Sequence, residues 1–314
     1  MGLVLVNDPQ RPLSNPLPRI GELLRSGDAS QALRASLELN HDTIQGEMLS
    51  ALGSNEILTY AEADGFPLPA TEDREGYWGD DHLSYWISGL GDFLFLNSLV
   101  TKFCNPDPRS ELSVLDLGCA SGRVLRHFAI GGRGLRLYGA DINRNNLAFV
   151  RRYLPETLIC LQNTIVPPLP LEENSIDFLY GLSVFTHIHD FEEAWLLDIR
   201  RMLKPGGAAL LTFHSERTWT ELKPTHFLFK HFSATSHRVE FLRRDPVEFE
   251  PGILGSEMPD GKVVFVMKDY PVNNTNVFCS HDYIRRMWGR VLEVDSFYSK
   301  VHGTHQDGVV LRKL

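Results

Sequence analysis

Two histidines in this 314-residue chain stand just past apolar runs that read as strands. His187 follows Ile176–Leu182 after Ser183, Val184, Phe185 and Thr186, and His214 follows Ala208–Phe213. An imidazole titrates near neutrality, so either ring could take a proton from a reacting hydroxyl or ammonium, or could pin its loop through a hydrogen bond. A second group of residues is suited to holding a ligand. Ser113–Arg123 reads as a buried strand that turns through Gly118, Cys119, Ala120, Ser121 and Gly122 into a helix marked by Val124, Leu125 and Phe128. Such a turn either brings backbone N–H groups at a helix N-terminus close to a ligand or serves tight packing. Asp141 ends a further strand, Leu135–Ala140, where a carboxylate can accept from both hydroxyls of a ribose held by the first turn. A dinucleotide pattern would want glycine at the places of Ala120 and Arg123, which allow no close pyrophosphate approach. A ligand without phosphates, held through a sugar, a base and a charged tail, fits better.

These groups need an α/β sheet to bring them together, because ligands of open α/β sheets bind beyond the carboxyl ends of the strands. Asn143 caps a helix that carries Leu147, Val150 and Leu154 and that Pro155 closes. Leu158–Asn163 reads as a third strand, Ile176–Leu182 as a fourth and Ala208–Phe213 as a fifth. Asp190–Leu203 reads as a helix with Asp190 and Glu193 as a capping box and Trp195, Leu196, Ile199 and Leu203 as its inner stripe. Lys204-Pro205-Gly206-Gly207 ends it. Val291–Tyr298 and Gly308–Leu314 are joined by a segment too short for a crossover helix, so they form an antiparallel hairpin.

Upstream, Pro9, Pro12, Pro16 and Pro18 mark an extended arm. Ile20–Leu24, Ala29–Leu39 and Asp42–Leu52 read as short helices. A proline-bearing linker leads through Gly76–Asp81 into a long helix, His82–Phe103. The division is an N-terminal arm and helical cap over 1–70, a linker and long helix over 71–109, and a ligand-binding domain over 110–314 with an insertion at 216–276. That insertion shows one strand, Val263–Met267, and its length suits it to substrate recognition.

Over Glu111–Phe213 the sequence resembles the class I S-adenosylmethionine-dependent methyltransferases, with a looser likeness at the C-terminal end. Leu115–Gly122 matches the family's glycine-rich motif, and Asp141 its acidic ribose ligand. The stretch from Leu158 through Pro167, Pro168 and Asp177, and the Ser183–His187 loop, match the regions that follow. The resemblance implies a Rossmann-like, seven-stranded mixed sheet with helices on both faces, a C-terminal antiparallel hairpin and an N-terminal helical cap. It also implies S-adenosyl-L-methionine as cofactor. Carried onto this chain, Gly118, Cys119, Ala120, Gly122, Asp141, Ile142, Asn163, Thr164 and Ser183 are the cofactor-binding residues. Arg74, Tyr77 and Trp78 are expected to close over the methionine half or to pack the cap onto the core. Two departures stand out. Ala120 replaces a glycine and costs about 1 kcal/mol if its φ is positive. Asn163 replaces an acid that contacts adenine, though an amide still offers donors and an acceptor.

Composition narrows the partners. The formal net charge is −9, against the basic face that nucleic acid requires. Arg243-Arg244 and Arg285-Arg286 read as solvated faces. Cys104, Cys119, Cys160 and Cys279 show no Cys-x-x-Cys spacing, as in a reduced, cytoplasmic protein without structural zinc. The apolar run at the N-terminus is too short for a signal or membrane segment. His302, His305 and Asp307 read as a turn network rather than a metal site, and no metal is expected. The expected function is methyl transfer to a small-molecule or sugar-like acceptor, as a monomer or a homo-oligomer. The alternatives are a non-catalytic cofactor-binding partner protein and an NAD-dependent reductase, the latter disfavoured by Ala120 and the final hairpin.

Overall fold

In a computed structural model of the chain, residues 12–25, 38, 42–104, 111–132, 134–234, 237–254, 257–267 and 275–314 are described. The expected helix at Ala29–Leu39 falls almost wholly outside them. Leu17–Arg19 (β1) leads into Ile20–Arg25 (α1), and Ile44–Leu52 (α2) starts where Thr43 accepts from the Gly46 N–H. Gly53 separates it from Ser54–Ala63 (α3), a helix the sequence reading did not assign. Pro67–Leu68 (β2) pairs antiparallel with β1. His82–Cys104 (α4) follows, as the apolar spacing predicts.

The sheet strands are Leu112–Leu117 (β3), Leu135–Asp141 (β4), Ile159–Gln162 (β5), Ile176–Gly181 (β6) and Leu203–Phe213 (β7). Between them run Leu125–Gly131 (α5), Arg144–Tyr153 (α6) and Glu192–Met202 (α7). After β7 come Glu216–Glu221 (α8), Phe227–Ala234 (α9), His237–Phe241 (β8), Val247–Glu248 (β9), Lys262–Met267 (β10) and Thr275–Cys279 (β11). His281–Met287 (α10), Glu293–His302 (β12) and Gln306–Arg312 (β13) complete the chain.

Seven strands form one sheet in the order β12-β13-β7-β6-β3-β4-β5. The five from β7 to β5 are parallel; β13 and β12 run antiparallel as the expected hairpin. Strand periodicity splits the core into two layers. Val114, Phe178, Leu210 and Val310 face α4 and α5, while Leu115, Leu179, Leu211 and Val309 face α7 and α10. Chain order reverses between β3 and β6, so a crevice opens beyond their carboxyl ends.

The segment after β7 folds around a core of its own, with Trp219, Phe232, Val263, Phe265 and Phe278 buried together. Its sheet runs β11-β10-β8-β9, so the single strand expected here is one of four. One helix start also departs from expectation. The capping box of Asp190 and Glu193 does not form, since Phe191 occupies the cap position without a side-chain bond. Glu192 turns inward instead and accepts from Lys262, Tyr283 and Trp288, so packing against the insertion and α10 sets the start of α7.

Candidate active site

Beyond the carboxyl ends of β3, β4 and β6 lies a cavity of about 270 Å³. One end is lined by Leu117, Gly118, Asp141, Ile142, Asn163 and Thr164, the other by Val184, His187, Ile188, His189, Phe191, Trp195 and Thr275. Six of the expected site residues therefore share one cavity.

Its floor is the turn after β3. Gly118 and Gly122 adopt φ of 80° and 81°, and Ala120 between them is also left-handed at 46°. That is the costly conformation for alanine that the sequence raised as a question. Asp141 compensates locally: its Oδ2 accepts from the Ala120 N–H at 2.7 Å and its Oδ1 from the Asn143 N–H at 2.7 Å. Oδ2, with this single donor, keeps acceptor capacity toward the cavity. Burial pushes the Asp141 carboxyl up to about 6, against the pull of these two backbone donors. Cys119 lies beneath the turn, buried, with its sulfur against Gly139, and does not line the cavity.

Asn163 donates through Nδ2 to the Thr164 carbonyl at 3.0 Å, and its Oδ1 is buried with no partner. An orphaned acceptor on a cavity wall is suited to an incoming N–H donor.

At the far end His187 is well defined. Its Nδ1 lies 2.6 Å from the Thr275 carbonyl, while the Thr275 hydroxyl donates to the His187 carbonyl at 2.7 Å. A carbonyl only accepts, so the proton of a neutral ring sits on Nδ1 and Nε2 carries a lone pair. The surrounding wall lowers the pKa of this imidazole by partial desolvation although His187 remains exposed on the cavity side, which favours the neutral form a base requires.

Several expected residues stand elsewhere. His214 is buried outside the cavity, stacked on Phe278, with Nδ1 on the His305 carbonyl at 3.1 Å. Burial drives its pKa down to about 3. The carboxyl-end rule places it correctly on β7, but the insertion covers it. Ser183, at φ 59°, accepts from Gln306 and donates its N–H to Thr212, outside the lining. Arg74 is also turned away, bonded to the Gly79 carbonyl and to His82 and stacked over Tyr85. Tyr77 and Trp78 are exposed beside the crevice and do not line it. His302 faces Asp92 at 3.5 Å, and Asp307 accepts from Ser215 and Arg217, so this turn forms a structural network. Among the described residues no His, Cys, Asp and Glu side chains cluster as a metal site, and no helix is long and apolar enough to cross a membrane.

Residues 115–211, which hold β3 to β7 and the floor of the cavity, match the methyltransferase domain family. This matched stretch, about a third of the chain, is a methyltransferase domain of the class I S-adenosylmethionine-dependent type. A curated relative, the ubiquinone biosynthesis O-methyltransferase of Roseobacter denitrificans, is 27% identical over 105 residues. The match takes in 33% of this chain and 41% of that protein, so the chain spans less than half the length of this relative. Among solved structures, the CcbJ methyltransferase of Streptomyces caelestis is similar at 12% identity and a TM-score of 0.47, over 72% of this chain and 89% of that one. An S-adenosylmethionine-dependent methyltransferase from Aquifex aeolicus is similar at 14% identity and a TM-score of 0.41, over 70% and 89%.

The methyltransferase cavity fits the cofactor that its family implies. The Asp141 carboxylate suits a ribose diol, the orphaned Asn163 Oδ1 suits the amino group of adenine, and Gly118 brings the backbone of the turn to the cavity wall. What the sequence missed is the part of the wall formed by Thr275. Thr275 is 88 residues from His187 in the chain, and no local pattern announces that contact.

Proposed function

We propose that this protein transfers a methyl group from S-adenosylmethionine to a hydroxyl of a small-molecule or sugar-like acceptor, with His187 as the base. One observation carries the reading: His187, fixed with its Nε2 lone pair free, shares a cavity with Gly118 and Asp141. When bound, S-adenosylmethionine supplies a methyl group already activated on a sulfonium. The protein's share is placement and, for a hydroxyl acceptor, removal of one proton. Gly118 and Asp141 hold the sugar side; Ile188, Phe191 and Trp195 exclude water from the opposite wall. Nε2 of His187 takes the proton, while the Thr275 carbonyl steadies the ring as it becomes cationic. The curated relative is named for O-methylation, which agrees with a hydroxyl acceptor. The net charge of −9 supports an acceptor other than nucleic acid, and the widely spaced cysteines support a reducing, cytoplasmic setting.

Titration calorimetry with S-adenosylhomocysteine and with NADH tests this. Binding of the former, weakened at least about tenfold in Asp141→Ala through loss of charge-assisted sugar bonds, is expected. Tighter binding of NADH would turn the site into a reductase pocket. Binding without turnover on any hydroxyl acceptor would leave a non-catalytic cofactor-binding protein.

A further inference from the structure

We propose that Glu75 is a positioning residue for the cofactor: anchored on Asn143 and Asn146, its carboxylate holds Asp141 and the sugar-side wall in their binding geometry. The inference rests on Asp141 being the ribose ligand. Glu75 belongs to the segment before α4 in which the sequence pointed to Arg74, Tyr77 and Trp78 instead. It stands at φ 57°, followed by Gly76 at 75°, a reversal that turns its side chain toward the N-terminus of α6. There Oε1 accepts from Asn143 Nδ2 at 2.6 Å and from Asn146 Nδ2 at 3.0 Å. The same Asn146 amide reaches Asp141 Oδ1 at 3.5 Å, and the Asn143 backbone N–H donates to that oxygen at 2.7 Å.

Two asparagines therefore bridge two carboxylates, one from the segment before α4 and one from the end of β4. Amide donors bridge this like-charged pair. Glu75 adds to the burial that raises the Asp141 pKa. Tyr77, Asp116 and Cys119 also lie within the electrostatic reach of Asp141, and Arg123 within that of Tyr77 and Asp116. Glu75 is coupled in turn to Tyr77 and to His187. Removing its charge while keeping its acceptor oxygen therefore changes the Asp141 titration without releasing the bridge.

The test is calorimetry with S-adenosylhomocysteine from pH 5 to 8 on the full chain and on Glu75→Gln and Glu75→Ala. In the unaltered protein affinity falls as pH drops through about 6, where Asp141 takes up a proton. Glu75→Gln, whose amide oxygen still accepts from both asparagines, is expected to bind within about threefold at pH 8 and to shift that fall to lower pH. Glu75→Ala is expected to lose about tenfold or more at every pH, because the bridge is gone. Affinity in Glu75→Ala within about twofold of the unaltered protein, by the same reasoning, overturns the proposal. So does an unmoved pH profile in Glu75→Gln, which would leave Glu75 as a tether for its own segment. Failure of the unaltered protein to bind S-adenosylhomocysteine instead refutes the reading of the site itself.

Discussion

Replacing Gly118 by alanine should damage both the fold and the cavity, and one neighbour should account for most of the damage. Gly118 has φ 80°, which costs an L-residue about 1–2 kcal/mol. A Cβ at that position would lie 2.5 Å from Val184 Cγ2, whereas carbon atoms in contact sit roughly 3.5–4.0 Å apart. The methyl therefore overlaps by about 1 Å or more, and overpacking of this kind costs about 1–3 kcal/mol. Together the two effects predict a loss of about 2–5 kcal/mol. The overlap can be separated from the strain, since the next atom near the built methyl is Val184 Cβ at 3.9 Å. In a Val184→Ala background the clash is gone and only the dihedral strain of about 1–2 kcal/mol remains. Urea unfolding of the four proteins should give a coupling energy of about 1–3 kcal/mol. Val184 lines the cavity, so Gly118→Ala should also weaken S-adenosylhomocysteine in calorimetry, with partial recovery in the double variant. An equal cost of Gly118→Ala in both backgrounds would show that Val184 does not limit this turn.

His187→Gln should lower single-turnover rates on a hydroxyl acceptor by about 100-fold or more while leaving S-adenosylhomocysteine affinity nearly unchanged. Because desolvation lowers the His187 pKa, the unaltered enzyme should keep its rate down through pH 6.5 and lose it only at lower pH; equal rates in the two proteins would remove His187 as the base. Asp116 predicts a different pH effect, since burial raises its carboxyl to about 8 in the folded protein, against about 3.9 in an unfolded chain. The unfolded chain releases this proton first, so the group subtracts stability progressively as pH rises from about 4 to 8, and by the full amount above 8. Asp116→Asn does not titrate, and its Tm relative to the unaltered protein should rise from pH 5 to pH 8; a pH-independent difference would contradict the raised carboxyl.

The strand, the turn and the acid proposed to hold the cofactor were legible because they are local. The apolar run, the small-residue turn and the acid ending the next strand lie within 29 residues, from Ser113 to Asp141. Strand and helix periods report directly on such a unit. The cap of α6 at Asn143 was equally legible, its side chain accepting from the Asn145 N–H at 3.0 Å. His214 was misplaced for a physical reason. The sheet rule fixes where a strand ends but not what later covers that end, and Phe278 stacks over the ring. Arg74 stands apart from the cavity because its Nη2 bonds within its own segment, to the Gly79 carbonyl and His82, while Nε and Nη1 are buried without a partner. The strands β8, β9 and β11 escaped because their partners are set by one another and by a phenylalanine core, not by the alternation of any one of them.

The acceptor end of the cavity follows from that non-local sheet. Strand β11 runs along the loops that leave β6 and β7: the Val277 N–H donates to the Thr186 carbonyl at 2.8 Å, and the Cys279 N–H to the His214 carbonyl at 2.9 Å. This backbone zipper sets Thr275 opposite His187, where the two exchange hydrogen bonds in both directions. Two strands along, Glu240 of β8 holds His189 Nε2 at 3.0 Å on the same cavity wall. A histidine base needs its proton on one chosen nitrogen, and only an acceptor-only group can enforce that choice. The methyltransferase sheet supplies no such group at His187. The carbonyl of Thr275 does, so the insertion settles the tautomer of the proposed base, while the sheet positions Asp141, the proposed sugar ligand.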